Sequence, residues 1–143
     1  MCGYAPAARL LQVMALRLII VDDNTHFLDA AQGLLDCEGM SVVGVATTST
    51  DALCLAAEMC PDVVLVDIDL GQESGFDLAR SLMESELHDG RRVILTSAYP
   101  EEDFAELIET SPAIAFLAKS ELSASAIVEV VGRVGDEHDP GAN

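Results

Sequence analysis

Five residues of this 143-residue chain could do chemistry together if the fold gathered them: the acid pair Asp22-Asp23, and Asp67, Thr96 and Lys119. Each follows an apolar run. Ile19-Ile20-Val21 leads into the acid pair, Val63-Val64-Leu65-Val66 into Asp67, Val93-Ile94-Leu95 into Thr96, and Phe116-Leu117-Ala118 into Lys119. Three carboxylates at one point repel, by up to about 4 kcal/mol per pair at 4 Å and an effective dielectric near 20. A hard divalent cation among them would remove that cost. Mg²⁺ suits the donor set, because it takes oxygen ligands, keeps several waters and is usually held by one or two carboxylates plus a phosphate. An aspartate beside such an ion can attack phosphorus and become an acyl phosphate. That transfer needs little beyond positioning and charge neutralisation. Lys119 would bring a cation, and Thr96 a hydroxyl donor, to the phosphoryl oxygens. Lys119 is the only lysine in the chain. Its place at the end of what reads as a buried strand is not one that a solubilising surface charge requires.

The elements that must position these residues are legible as alternating strands and helices. Short apolar runs bounded by turn signals read as strands buried on both faces. They fall at 16–21, 41–46, 63–67, 93–95 and 113–118. Helices are expected over about 26–38 (capped by Thr25 and stopped at Gly39), 51–59 (capped within Thr47-Thr48-Ser49-Thr50 and stopped by Pro61), 76–86, 101–110 (opened by Pro100) and Ser123 to about 134. Residues 70–75 read as a loop, and His88-Asp89-Gly90 as a turn. Five βα units specify an α/β domain: a five-stranded parallel sheet with helices on both faces and right-handed crossovers. The common strand order is 2-1-3-4-5, whose switch point lies between the strands carrying Asp22-Asp23 and Asp67.

Composition narrows the function classes. Half of the residues are hydrophobic, enough for one domain with a core. Residues 1–15 read as an N-terminal extension, with Met14 a candidate for the true start. Residues 16–135 form the domain and 136–143 a polar tail. No apolar run approaches a membrane span, and the N-terminus lacks signal-peptide features, so a cytoplasmic protein with no membrane partner is expected. The formal charge is −18. Direct nucleic-acid binding by this chain is therefore not expected, since such binding depends on neutralising phosphates. Cys2, Cys37, Cys54 and Cys60 show no CxxC spacing, and Cys37 and Cys54 lie in apolar helical patterns. Small core residues of a reducing compartment is the reading adopted. His26, His88 and His138 share no face and are expected in solvent, as is Tyr99 at a surface or partner face. Glu101, Glu102 and Asp103 are helix-start charges.

The same residues resemble the receiver domain of two-component response regulators. The likeness runs from residue 16 to about 134. It rests on Asp22-Asp23 after a strand, Asp67 at a strand end, Gly75 eight residues on, Thr96 in Leu95-Thr96-Ser97-Ala98, and Lys119 after Phe116-Leu117-Ala118. The resemblance implies a flavodoxin-like fold and a phosphorylation-dependent signalling switch. By the same likeness, Asp67 is the phosphoacceptor, with a sensor histidine kinase or histidine phosphotransfer protein as donor. Asp22, Asp23, Asp67 and the backbone carbonyl of Asp69 hold Mg²⁺, and Thr96 and Lys119 read the phosphoryl group. Phe116, otherwise a packing residue, takes the switch position. A homodimer or partner would read the face of the fourth helix, fifth strand and fifth helix. Such domains catalyse their own phosphorylation and dephosphorylation and are not enzymes in output, and the chain could be the N-terminal part of a transcriptional regulator. Three departures stand out. Ser120 replaces a proline often joined by a cis bond, so a trans bond or an altered loop is expected. Gly71 replaces another frequent proline and implies a more mobile loop. Asp69 adds a carboxylate near the metal and, with Ala98, would tune the acyl phosphate's lifetime.

Three other readings compete. A haloacid dehalogenase-like phosphatase shares the Asp67-Ile68-Asp69 pattern, but its nucleophile sits on the first strand and further metal-binding acids follow its lysine. A flavodoxin-like electron carrier shares the sheet but needs a phosphate-cradling loop where Asp22-Asp23 would repel phosphate. A receiver scaffold that has lost phosphorylation would not need all five site residues.

Overall fold

The computed structural model describes residues 16–84 and 91–137. The expected turn at 88–90, residues 85–86 of the third helix, the first 15 residues and residues 138–143 lie outside them, as do Cys2, His88 and His138.

Strands β1 (Arg17–Val21), β2 (Ser41–Ala46), β3 (Val63–Asp67), β6 (Arg92–Ser97) and β7 (Ala115–Ala118) form one sheet in the order β2-β1-β3-β6-β7, with every pairing parallel. With the small hairpin described next set aside, this is the expected 2-1-3-4-5 order. Residues 69–74 are not a plain loop. Asp69–Leu70 (β4) and Glu73–Ser74 (β5) pair antiparallel as a two-rung hairpin, with Asp69 opposite Ser74 and Leu70 opposite Glu73.

The helices are α1 (Thr25–Cys37), α2 (Ser49–Met59), α3 (Gly75–Glu84), α4 (Ala105–Glu109) and α5 (Ala124–Glu137). Two N-termini match the sequence expectation: Thr48 Oγ1 accepts from the Asp51 N–H at 3.1 Å, and Ser123 Oγ accepts from the Ala126 N–H at 3.0 Å. The cap of α1 does not. Asn24, not Thr25, holds the extended N-cap conformation, and its Oδ1 accepts from the Phe27 N–H at 3.2 Å. The helix expected over 101–110 splits into a 3-10 turn, Glu101–Phe104, and the short α4. Pro100 is not its first residue but the extended cap before the turn, at φ −66° and ψ 151°.

Alternation along the strands divides the core. Leu18, Ile20, Val63, Leu65 and Ile94 face α1 and α5, where Leu28, Leu35, Ile127 and Val128 meet them. Ile19, Val21, Val64, Val66, Val93 and Leu95 face the opposite way, against Ala52 and Ala56 of α2 and Phe76, Leu78, Ala79 and Leu82 of α3. The period of two that a pleated strand imposes is the cause. The cysteine expectation fails: Cys37, Cys54 and Cys60 are all exposed. Cys54 lies between Ala52 and Ala56, which face the core, and two residues along an α-helix is about 200° around it. The strand before Lys119 is also not fully buried. β7 is an edge strand, and all four of its residues are only partly covered. No helix among the described residues is long and apolar enough to cross a membrane.

Candidate functional site at the carboxyl ends of the strands

β1, β3, β6 and β7 all run the same way, so their carboxyl ends open on one edge of the sheet. The registers fix who meets there. Val21 lies beside Val66, Asp67 beside Thr96, and Ser97 beside Ala118. Asp22, Asp67 and Thr96 are all buried, whereas Asp23 is exposed.

Lys119 closes the group. Its Nζ lies 2.6 Å from Asp22 Oδ2 and donates to Asp67 Oδ2 at 3.2 Å. It also stands over the Phe27 ring, 4.4 Å from the centroid. The other carboxylate oxygens are held by the backbone: the Asn24 N–H donates to Asp22 Oδ1 at 2.9 Å, and the Asp69 N–H to Asp67 Oδ1 at 3.2 Å. The short approach of Lys119 to the buried Asp22 Oδ2 is an ion pair.

The backbone next to Asp67 is set by two glycines. Gly71 has φ +76°, and a Cβ there would stand 3.0 Å from Asp23 Oδ2. It occupies the hairpin turn, so the structure gives this glycine a conformational and steric role, where the sequence had pointed to loop mobility. Gly75 opens α3 with its N–H donating to the Ile68 carbonyl at 2.7 Å. A Cβ there would meet the Asp67 carbonyl oxygen, with Ile68 Cα at 2.8 Å and Asp67 C at 2.9 Å. Only glycine lets α3 start this close to the strand that carries Asp67.

The electrostatics follow from the crowding. Burial, and then the neighbouring Asp22 charge, push the Asp67 carboxyl up to about 6, against the pull of Lys119 and the Asp69 N–H. Burial disfavours the Lys119 ammonium, but Asp22 and Asp67 outweigh it and hold the group above its ordinary value. One lysine thus answers two buried carboxylates, leaving a net negative pocket.

That pocket suits a hard cation. Asp22, Asp23 and Asp67 each present an oxygen, all within 4.8 Å of one another. The donors are all carboxylate oxygens. An oxygen-only set of this kind matches an ion such as Mg²⁺ better than a thiophilic metal.

The structure therefore brings Asp22, Asp23, Asp67, Thr96 and Lys119 to one edge, as the sequence reading required. Phe116 lies beside Leu95 in the register and packs, partly buried, with the α2–α3 side of the core. The carboxylate of Asp69 departs from expectation. It is exposed, and its Oδ1 accepts the Gly71 N–H at 3.0 Å, so it shapes the hairpin and lies outside the three-carboxylate group. Ser120 follows Lys119 in a short 3-10 turn, Lys119–Glu121, with no cis peptide bond among the described residues. Tyr99 and His26 are exposed, as expected. Sequence reasoning missed Asn24, Phe27 and Glu73. The spacing of Asn24 three before Phe27 is a cap signal, but Thr25 competed for it. Glu73 Oε1 accepts the Ser49 N–H at 2.8 Å, tying the hairpin to the start of α2 across 24 residues, a contact that no local pattern encodes.

Comparison with known proteins agrees with this geometry. The family model described as the response regulator receiver domain matches residues 18–131. Response regulator GacA of Pseudomonas aeruginosa is 30% identical over 105 residues, covering 73% of this chain and 48% of GacA. A protein-glutamate methylesterase/protein-glutamine glutaminase of Myxococcus xanthus is 30% identical over 128 residues, covering 82% of this chain and 36% of the relative. Among solved structures, the response regulator domain of Thermotoga maritima CheB superposes with a TM-score of 0.68 at 26% identity, covering 87% of this chain and 98% of that one. The chain thus spans about half or less of these two sequence relatives, but nearly all of the solved receiver domain.

Proposed function

Because the chain belongs to the response regulator receiver domain family, we propose that Asp67 is its phosphoacceptor and that Asp22, Asp23 and Asp67 hold Mg²⁺ during the transfer. The domain is a phosphorylation-dependent switch of two-component signalling. What supports this assignment within the site is the single lysine bridging two buried carboxylates at the ends of β1 and β3, with Thr96 paired in register to Asp67.

The residues divide the work. An Asp67 oxygen forms the new O–P bond while the donor's bond to phosphorus breaks; from a phosphohistidine the imidazole leaves with the electron pair. Mg²⁺ held by these residues would supply charge neutralisation for the transfer. Asp22 and Asp23 would anchor that charge, and the backbone carbonyl of Asp69 would be a further ligand. Lys119 moves from Asp67 Oδ2 to a phosphoryl oxygen, a short step for a flexible side chain that already lies beside it. The Thr96 hydroxyl donates to another, and Phe116 on the neighbouring strand turns inward as Thr96 shifts. A switch of this kind works through different contacts in its two states.

The donor is a sensor histidine kinase or a histidine phosphotransfer protein in the cytoplasm. The reader is a partner or second copy at the face of α4, β7 and α5, near the exposed Tyr99 and Leu107. Since both relatives are longer than this chain, its output can lie in a transcriptional or other effector domain; this domain's own reactions are its phosphorylation and dephosphorylation. Intact mass after incubation with Mg²⁺ and acetyl phosphate, beside Asp67→Ala, is the direct test. One added phosphoryl group in the wild type alone is expected. No gain there, together with no Mg²⁺-dependent response to beryllofluoride, would overturn the reading in favour of an inactive scaffold.

A further inference from the structure

We propose that Phe27 is a positioning residue for Lys119: its ring face confines the ammonium between Asp22 and Asp67 and thereby sets the rate of phosphoryl transfer to Asp67. The proposal rests on Asp67 being the acceptor.

Phe27 has a plain structural use, since it is half-buried and packs against the α1–α5 side of the core. Its relation to Lys119 goes further. The charged Nζ stands over the ring at 4.4 Å from the centroid. That is well within the roughly 6 Å over which a ring quadrupole attracts a cation. The ring is also tied to the same turn that holds the acid. Asp22 Oδ1 accepts the Asn24 N–H at 2.9 Å, Asn24 Oδ1 accepts the Phe27 N–H at 3.2 Å, and Asp22 Oδ2 lies 2.6 Å from Lys119 Nζ. Four residues close a circuit, so the ring and the carboxylate that flank the ammonium are fixed by one helix cap.

The two kinds of neighbour act differently on the lysine. Asp22 and Asp67 attract it but also offset its charge, and on their own they leave a long side chain free to choose between them. A ring attracts a cation without neutralising it and cannot take a proton from it. It restricts where the ammonium goes while leaving a full positive charge for the phosphoryl oxygens. Restricting a reacting group in advance lowers the barrier to its use. In the step itself, Asp67 forms the O–P bond, acetyl phosphate loses acetate with the electron pair of the broken O–P bond, and no proton has to move.

The unique lysine makes the test selective. Protein labelled with ¹³C-lysine gives one ε-methylene signal. In the wild type that signal is expected upfield of free lysine, because the ammonium bonded to that methylene lies over an aromatic face. Phe27→Leu, which keeps an apolar side chain, should lose the shift and slow phosphorylation by acetyl phosphate about tenfold, some 1.4 kcal/mol in the barrier. Phe27→Tyr, which keeps the ring, should preserve the shift and restore the rate to within about twofold. An unshifted wild-type signal would overturn the proposal without any variant. So would a Phe27→Leu protein that phosphorylates at the wild-type rate, or equal slowing in Phe27→Leu and Phe27→Tyr, which marks packing alone. If the wild type takes up no phosphate at Asp67, the acceptor assignment has failed instead, and the ε-methylene shift still decides whether the ring holds the lysine.

Discussion

Replacing Gly75 with alanine sets two physical effects against each other. Helix propensity alone favours alanine by up to about 1 kcal/mol. The structure says the opposite. The new Cβ would sit 2.8 Å from Ile68 Cα and 2.9 Å from Asp67 C, against an optimum of about 3.5–4.0 Å for carbon pairs. These neighbours are backbone, so no rotamer can relieve the overlap; α3 or the exit of β3 must move by close to an ångström. Overpacking of this kind costs about 1–3 kcal/mol and sometimes more. The backbone location places Gly75→Ala at the upper end, for a net loss of about 2–3 kcal/mol. Gly33 is the internal control: it lies inside α1, where an added methyl group would have nothing within 4 Å, and it has no positive φ. Gly33→Ala should stabilise by about 0.5–1 kcal/mol. The chain has no tryptophan, so urea unfolding followed by circular dichroism at 222 nm is the natural assay. The midpoints should move in opposite directions, by about 3 kcal/mol in total, with little change in slope. Gly75→Ala as stable as the wild type would refute the steric argument. Because the displaced segment carries Asp67, phosphorylation of Gly75→Ala should also slow.

Other consequences are as direct. In metal-free protein the Asp67 carboxyl, raised from 3.8 to about 6, binds more protons folded than unfolded between those values, so its contribution to stability falls as pH rises through that window and is flat above it. Asp67→Asn should therefore stabilise by about 2 kcal/mol more at pH 7.5 than at pH 4.5 in EDTA, since each unit by which the carboxyl is raised is worth about 1.4 kcal/mol; a pH-independent gain would contradict it. Lys119→Met removes the cation that competes for Asp22 and Asp67, so Mg²⁺ should bind roughly tenfold tighter by calorimetry even as phosphorylation fails. Glu73→Ala should speed amide exchange at the start of α2, where Ser49 loses its acceptor, and unchanged exchange there would mean the hairpin does not brace the helix.

The sheet and its order were legible because strands buried on both faces leave continuous aliphatic runs, and the site was legible because its members end those runs. What was hidden depends on contacts across the chain or on elements too short to pattern. The hairpin at 69–74 has two residues per strand, below the length at which alternation can be seen. Cys54 sits in a convincingly apolar helix, but which way a helix turns is set by the small Ala52 and Ala56 that let it approach the sheet. Asp69 has the spacing of a further acid for the metal, yet its carboxylate serves the Gly71 N–H. Phe27 read only as an apolar position at helical spacing, because nothing in one sequence brings it to the lysine 92 positions on that it touches in space.

The sheet is also a dividing wall. Phe27 belongs to the compartment of α1 and α5, whereas Phe116 belongs to that of α2 and α3. Asp67, the proposed acceptor, stands where the wall ends. Residues on opposite sides of a closely packed layer couple only where they share a partner. In the proposed mechanism Phe27 acts through Lys119 and Phe116 through Thr96, and both meet at the phosphoryl group on Asp67, so the speed with which a signal is written and the shape by which it is read are joined at that one point.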